Sequence, residues 1–338
     1  MSYQLPFDIT PKIVDRISAI AEQIGRLGRH GLNASPQLRK QNRIRTIQGT
    51  LAIEGNSLSL AQVTAILEGK RVLGQLREIR EVQGAIQAYE ALATWDPASE
   101  EDFLAAHRYL MGDILKDAGK FRRAGVGIHK DDISKDDKVV HVTPSAKRVP
   151  LLMSDLLDWL ARTEDHALIK SCVFHSELEF IHPFMDGNGR MGRLWQTLIL
   201  GQWKPIFFLL PIESLIKEEQ ARYYQTLEQA DRDANSTVFI EFMLDIIDKA
   251  LTQAISATNP ATDQVTDQVK KLLAVMDDGY FTAQTLMQRL GLSHRATFRK
   301  NYLIPALEAG LLEMKYPDKP RHPKQQYRKR RTWLSDFT

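Results

Sequence analysis

The chain has 338 residues, 43% of them hydrophobic and 26% charged, with a net charge of +3. That length exceeds one ordinary core, so two or three domains are expected, and the composition is that of a globular protein, not a disordered or fibrous one. No apolar run approaches the roughly 20 residues of a membrane span, MSYQLPFDIT lacks the basic and apolar regions of a secretory signal, and a single cysteine, Cys172, excludes an intrachain disulfide. The expectation is therefore a cytoplasmic protein with no membrane partner. Cys172 lies in the apolar run 169–174 and reads as an inert core residue.

Residues 1–95 read as helical. Ile13, Val14, Ile17, Ile20, Ala21 and Ile24 recur at helical spacing. Thr50 and Glu54 stand four apart, on one face of a helix for which Gly55 is a natural stop. Ser59 and Gln62 have the spacing of a capping box, opening a short helix that ends at Gly69. Residues 78–93 form another periodic helix, closed by Asp96 and Pro97.

Residues 96–257 read as a second domain. The spacing predicts helices over 103–115 and 149–160. Between them, 125–144 is rich in Gly, Asp and β-branched residues. Val139, Val140, His141 and Val142 have strand character, and 126–128 is suited to pair with them as a β-hairpin flap. Further helices are predicted before His182, after Gly189, over about 216–230 and over 238–253. The stretch 256–262, small and polar with Pro260, reads as a linker.

Residues 263–338 read as a third domain. Three short helices (265–276, 282–290 and 293–309) precede two short strands near 311–314 and 326–328, the order of a winged helix-turn-helix. From Leu292 onward there are eleven basic residues and four acidic ones, a net +7, which leaves −4 for the rest. The third helix carries Ser293, His294, Arg295, Thr297, Arg299 and Lys300, and the wing Lys319, Arg321 and Lys324. DNA is the partner such a face suggests, with protein docking as the alternative.

The chemistry concentrates at His182-Pro183-Phe184-Met185-Asp186-Gly187-Asn188-Gly189-Arg190-Met191-Gly192-Arg193. This is a loop ending at a helix N-terminus. Gly187 and Gly189 flank Asn188, so the backbone can turn tightly and aim several N–H groups at one point. The helix start adds its dipole, making an anion site suited to phosphates. Arg190 and Arg193 are three apart on one helical face and can hold two phosphates. Asp186 supplies a hard oxygen ligand of the kind Mg²⁺ takes beside substrate phosphates. His182 has the ordinary pKa to accept a proton from a hydroxyl near neutrality. Phe184 reads as a wedge into the core.

This run resembles the motif of the Fic family, His-Pro-Phe-x-Asp-Gly-Asn-Gly-Arg-x-x-Arg, at every fixed position. The resemblance extends from about 45 to 255, including Phe121 and Arg122 before the flap and Tyr223, Tyr224 and Phe239 after it. It implies a mostly α fold, a Fido-type helical core with a β-hairpin flap, joined to the winged helix-turn-helix. It also implies an enzyme that transfers AMP from ATP, with Mg²⁺, onto a Ser, Thr or Tyr hydroxyl of a target protein. In that resemblance His182 is the general base and Asp186 the metal ligand. The Gly187-Asn188-Gly189 backbone, with the side chains of Asn188 and Arg190, holds the α- and β-phosphates, and Arg193 meets the γ-phosphate. Val139, Val140, His141 and Val142 clamp the target by strand addition, and Tyr223 and Tyr224 lie near the adenine. Thr50 to Asn56 resembles the family's inhibitory motif, [Ser/Thr]-x-x-x-Glu-[Gly/Asn]. There Glu54 pairs with Arg193 and forces ATP into an unproductive pose. A homodimer that stabilises the inhibitory helix is a further expectation. The alternatives are a transcription regulator with a nucleotide-sensing Fic core, and a Fic transferase or de-AMPylating enzyme that uses another donor or water.

Overall fold

The computed structural model describes residues 5–30, 36–125, 127–129, 139–258, 267–277, 279–308, 311–317, 320 and 322–329. The chain divides into two compact units, residues 1–254 and 255–338.

The first unit is built of helices: α1 (Pro11–His30), α2 (Pro36–Ile53), α3 (Leu60–Leu67), α4 (Leu76–Ala91), α5 (Glu100–Met111), α6 (Val149–Arg162), α7 (Ala167–Ile181), α8 (Asn188–Trp203), α9 (Ile212–Glu218), α10 (Gln220–Asp233) and α11 (Thr237–Thr258), which runs just past the boundary. α7 and α8 form its centre. Thirteen of the sixteen residues of α8 are buried, and α7 is buried along most of its circumference. A helix covered on all sides belongs at the middle of a bundle. Gly192 allows the two to close: a Cβ there would lie 2.5 Å from the His175 ring. Phe103 of α5 stacks on Phe184 (5.5 Å) and meets Trp195 edge-on (5.0 Å), so the loop between α7 and α8 is pinned by aromatic burial, worth about 2–3 kcal/mol per ring.

α2 packs on α9 just as closely. A Cβ on Gly49 would stand 2.7 Å from the Ser214 backbone nitrogen, so the approach requires glycine. The predicted capping box opens α3: Gln62 N–H donates to Ser59 Oγ (3.3 Å) and Ser59 N–H to Gln62 Oε1 (3.0 Å). The predicted flap is an antiparallel pair, β1 (Gly127–His129) and β2 (Val139–Val142), with Gly127 opposite Val142, Ile128 opposite His141, and an irregularity before His129. Its tip, 130–138, lies outside the described residues.

One predicted helix is broken. Periodicity continues over 216–230, yet the chain leaves helical geometry at Glu219 (φ −110°, ψ 29°) between α9 and α10. At the break the Glu219 carboxylate pairs with Lys249 (2.7 Å) and Arg222 (3.2 Å).

The second unit contains α12 (Asp267–Ala274), α13 (Ala283–Arg289), and a third helical stretch formed by α14 (Arg295–Phe298), a π-turn (Arg299–Leu303) and α15 (Ile304–Glu308). β3 (Leu312–Met314) pairs antiparallel with β4 (Tyr327–Lys329), and Phe281 bridges to Tyr327. Val269, Leu272, Leu286, Phe298, Ala306 and Leu312 belong to its own core. Of the predicted linker, 256–258 finish α11 and 259–262 lie outside the described residues, as do Lys319 and Arg321 of the predicted wing. Among the described residues, no helix is long and apolar enough to cross a membrane.

Candidate active site

His182 caps α7 in the left-handed region (φ 51°, ψ 62°), a conformation that costs an L-residue about 1–2 kcal/mol. Strain of this kind persists only where the surroundings fix it. Here they do so through Arg122, which is 3% exposed. Its Nε donates to His182 O (2.7 Å), its Nη2 to Ile181 O (3.3 Å) and its backbone N–H to Pro183 O (2.8 Å). Arg122 thus grips three successive peptide units, two with its guanidinium and one with its backbone N–H, and fixes the backbone that carries His182.

Phe184 is fully buried as predicted, stacked on His107 with centroids 3.6 Å apart. His107 supports the loop from α5. Its Nδ1 accepts the Gly119 N–H (2.8 Å), so its Nε2 carries the proton and donates to Asp186 O (3.0 Å). Burial keeps the ring neutral, with a pKa pushed down to about 4. Gly187 has φ 88°, which favours glycine, and begins α8. The Asn188 side chain closes the loop on itself, accepting from Phe184 N–H and donating to Phe184 O, both at 2.9 Å. Its amide thus braces the loop backbone just before α8.

What faces the start of α8 is Glu54. A Cβ built on Gly189 would lie 2.5 Å from Glu54 Oε1, so the carboxylate rests against this glycine. Arg193, 2% exposed, donates Nη2 to Glu54 Oε1 (2.6 Å) and to Thr50 O (3.1 Å), and Nε to Thr50 Oγ1 (3.0 Å). Its buried Nη1 has no hydrogen-bond partner among the described residues. Burial opposes the guanidinium charge, and the facing Glu54 carboxylate more than restores it, so the pKa is raised. Glu54 reaches this point because α2 ends in a Schellman motif: Asn56 N–H bonds to Leu51 O and Gly55 N–H to Ala52 O, both at 3.1 Å, with Gly55 at φ 87°.

A second ionic chain runs alongside. Asp186 pairs with Arg190 and with Arg77 of α4, each at 3.0 Å. Glu81 lies 3.4 Å from Arg190 and accepts from Asn56 Nδ2 at 2.9 Å, tying the turn after α2 to the start of α8.

The two predicted adenine contacts separate. Tyr223 is 1% exposed, and its hydroxyl meets His175 Nε2 at 3.0 Å. It is a core residue whose hydroxyl satisfies a buried histidine, not a pocket wall. Tyr224 is exposed and its hydroxyl approaches Ile53 O at 3.4 Å, at the end of α2. Cys172 is buried, its thiol pushed up to about 12 by burial. The backbones of Val139, Val140, His141 and Val142 form the predicted flap strand. Sequence reasoning missed His107, and it noted Arg122 only as part of the resemblance. Each lies 59 or more residues before the atoms it holds at the 181–186 turn, so no local pattern reveals its task.

Residues 97–200 match the Fic/DOC family, and residues 267–329 match the C-terminal domain of Filamentation induced by cAMP protein Fic-like. The crystal structure of a Fic family protein from Desulfovibrio desulfuricans G20 is 51% identical, covering 98% of this chain and 99% of that one, with a TM-score of 0.71. The chain belongs to the Fic family. Two insect proteins named Protein adenylyltransferase Fic are each 28% identical to it. The protein from Culex quinquefasciatus matches over 68% of this chain and 45% of its own, and the one from Drosophila melanogaster over 72% and 47%. This Fic chain thus spans about half the length of those relatives. Fic-1 (aa134–508) from C. elegans shares the fold, at 23% identity and a TM-score of 0.60 over 74% of each chain.

Proposed function

We propose that this Fic protein transfers AMP from ATP to a Ser, Thr or Tyr hydroxyl of a target protein and that Glu54 holds it inactive. The observation that carries this reading is the seat of Glu54. An anion site built from a helix N-terminus and a buried arginine is filled by the chain's own carboxylate, 2.6 Å from Arg193. A carboxylate there stands where a terminal phosphate would, and it neutralises the cation that phosphate needs.

With Glu54 withdrawn, the Gly187 to Gly189 backbone and Arg190 hold the α- and β-phosphates, and Arg193 takes the γ-phosphate. His182, held at its backbone by Arg122, accepts the proton of the target hydroxyl. That oxygen attacks the α-phosphorus, the bond to the bridging β-oxygen breaks, and pyrophosphate leaves. Most of the acceleration is positioning and charge neutralisation, as in related transfers. Asp186 is the candidate Mg²⁺ ligand. A single carboxylate is the kind of protein ligand that would hold Mg²⁺ together with substrate phosphates. When bound, Mg²⁺ would neutralise phosphate charge. The flap is a two-stranded sheet, whose unpaired strand edges suit a target segment added as a strand.

The deciding experiment incubates α-³²P-ATP and Mg²⁺ with wild type, Glu54→Gly, and Glu54→Gly with His182→Ala, and reads label on the protein itself and on a cell lysate. Glu54→Gly should label roughly 5–150 times more than wild type, the span of ordinary coupling energies. Adding His182→Ala should remove at least a hundredfold. Folded proteins that show no label in any lane would overturn the reading in favour of another donor.

We also infer that the second unit is a winged helix that binds DNA. The helical order supports this, as does the bridge between Phe281 and Tyr327, which adds a short third strand between the first two helices. Titration of a DNA duplex at several salt concentrations tests it.

A further inference from the structure

The inhibitory carboxylate is positioned by contacts that neither Glu54 nor Arg193 makes. α2 ends at Ile53, and like any helix it leaves its last carbonyls short of intrahelical partners. Two side chains at the junction of α9 and α10 add to the bonds that the Schellman turn makes there. Lys217 Nζ donates to Ala52 O at 2.8 Å, and Gln220 Nε2 donates to Ile53 O at 2.7 Å. The two are joined, since Lys217 Nζ also donates to Gln220 Oε1 at 2.7 Å. This bond fixes the amide so that its Nε2 faces α2. Lys217 brings an ammonium to the negative end of the helix dipole, where a cation is favoured. Both side chains are half-buried, which shields the contacts from competing water.

Lys217 and Gln220 stand three apart across the break at Glu219, so the last turn of α9 and the first residue of α10 reach two consecutive peptide units of α2 together. Nothing in the phosphate loop explains this arrangement. The carbonyls it grips belong to the two residues immediately before Glu54.

We propose that Lys217 and Gln220 are positioning residues of the inhibitory contact. They hold the last turn of α2 so that Glu54 reaches Arg193, and their loss releases Glu54 without altering any nucleotide or hydroxyl contact. The proposal rests on the reading of Glu54 as an inhibitor.

The test uses Lys217→Met, Gln220→Leu and the double substitution in the full chain, each with Glu54 present and in the Glu54→Gly background. One readout is labelling by α-³²P-ATP. The other, independent of activity, is amide hydrogen exchange of the peptide that contains Leu51 to Asn56. With Glu54 present, each single variant should label about fivefold more than wild type, the net effect of one lost hydrogen bond, and the double more than either. In the Glu54→Gly background the same substitutions should change labelling by less than about twofold, since no inhibitory contact remains to release. Lys217→Arg keeps donor and charge and should return labelling to the wild-type level. Exchange at Leu51 to Asn56 should quicken in the double variant while peptides from α7 and α8 stay unchanged. Wild-type labelling and wild-type exchange in a folded double variant would overturn the proposal, as would an equal rise in both backgrounds. If Glu54→Gly itself fails to label, the transferase reading falls, and the exchange result still decides whether the pair holds α2.

Discussion

Glu179 sits on α7 one turn before His182, and its carboxyl is 3.9 Å from His175 Nε2. Its Oε1 is buried and has no hydrogen-bond partner among the described residues. Burial first, and then the neighbouring Glu54 carboxylate, push its pKa from 4.5 up to about 7, with Arg193 acting in the opposite sense. His175 cannot answer with a charge, because burial holds its pKa near 3 and its Nε2 meets the Tyr223 hydroxyl. The folded state therefore holds a proton that the unfolded chain releases above about pH 4.5. The protonated form's contribution is fully present below that pH and is lost as pH rises through about 7, a difference of about 3 kcal/mol. Glu179→Gln removes the ionisation. Thermal melts should find it more stable than wild type at pH 8, with the gap closing toward pH 4.5. A gap that does not move with pH would contradict the assignment. The acid was not legible in the sequence, where it is one of two glutamates in a mostly apolar helix. Its neighbours come from α2 and α8, 125 residues before it and 14 after. The run from His182 to Arg193 was legible for the opposite reason: its turn, its helix start and its paired arginines are all local. Within it the Asn188 side chain bonds buried loop backbone, and outside it Tyr223 serves as partner to a buried histidine.

α2 was the least visible element of the first unit. Its sequence is polar and weakly periodic, since its partners surround it: α9, α4 and the phosphate loop each use a different face. Its end was visible, because Gly55 marks a stop that any helix would obey. That end supports a prediction at this scale. Gly55 has φ 87°, and a Cβ there would meet nothing within 4 Å, so Gly55→Ala carries only the backbone cost of about 1 kcal/mol. If that cost falls on the inhibited state, labelling by α-³²P-ATP should rise about fivefold. Gly69, at the end of α3, offers the control: it has φ 71° and the same open surroundings. Gly69→Ala should destabilise to a similar degree in a thermal melt and leave labelling at the wild-type level. Equal labelling by the two variants would mean that the end of α2 does not set the position of Glu54. The break between α9 and α10 was hidden for a related reason. No glycine or proline marks it, and the partners of Glu219 at the break come from α10 and α11.

Over the whole molecule, charge is divided as the sequence divides it: the final segment is basic and the rest mildly acidic. A basic region binds phosphate backbones only if its cations stand free in solvent and on one element. His294, Arg295, Arg299 and Lys300 are all exposed along the third helical stretch of the second unit. Other cations of that unit are engaged, Arg289 with Asp277 and Arg328 with Glu313. Among the described residues, no ion pair holds Arg295, Arg299 or Lys300. The third helix of a winged helix is also the element that enters a major groove. Binding to a 20-base-pair duplex should therefore weaken linearly in log–log form as salt rises, because each phosphate contact releases counterions. Arg295→Ala and Arg299→Ala should each lower the slope by about one. The loss should be similar for unrelated sequences if the contacts are to phosphate and unequal if either side chain reads a base edge. Both sites are exposed, so the fold should tolerate the changes, and a thermal melt checks that. A slope unchanged by the double substitution, in a protein that still binds, would move the nucleic-acid face off this helix. No binding at low salt would leave the basic helix to an acidic protein surface, and the same two substitutions would then be read against such a partner.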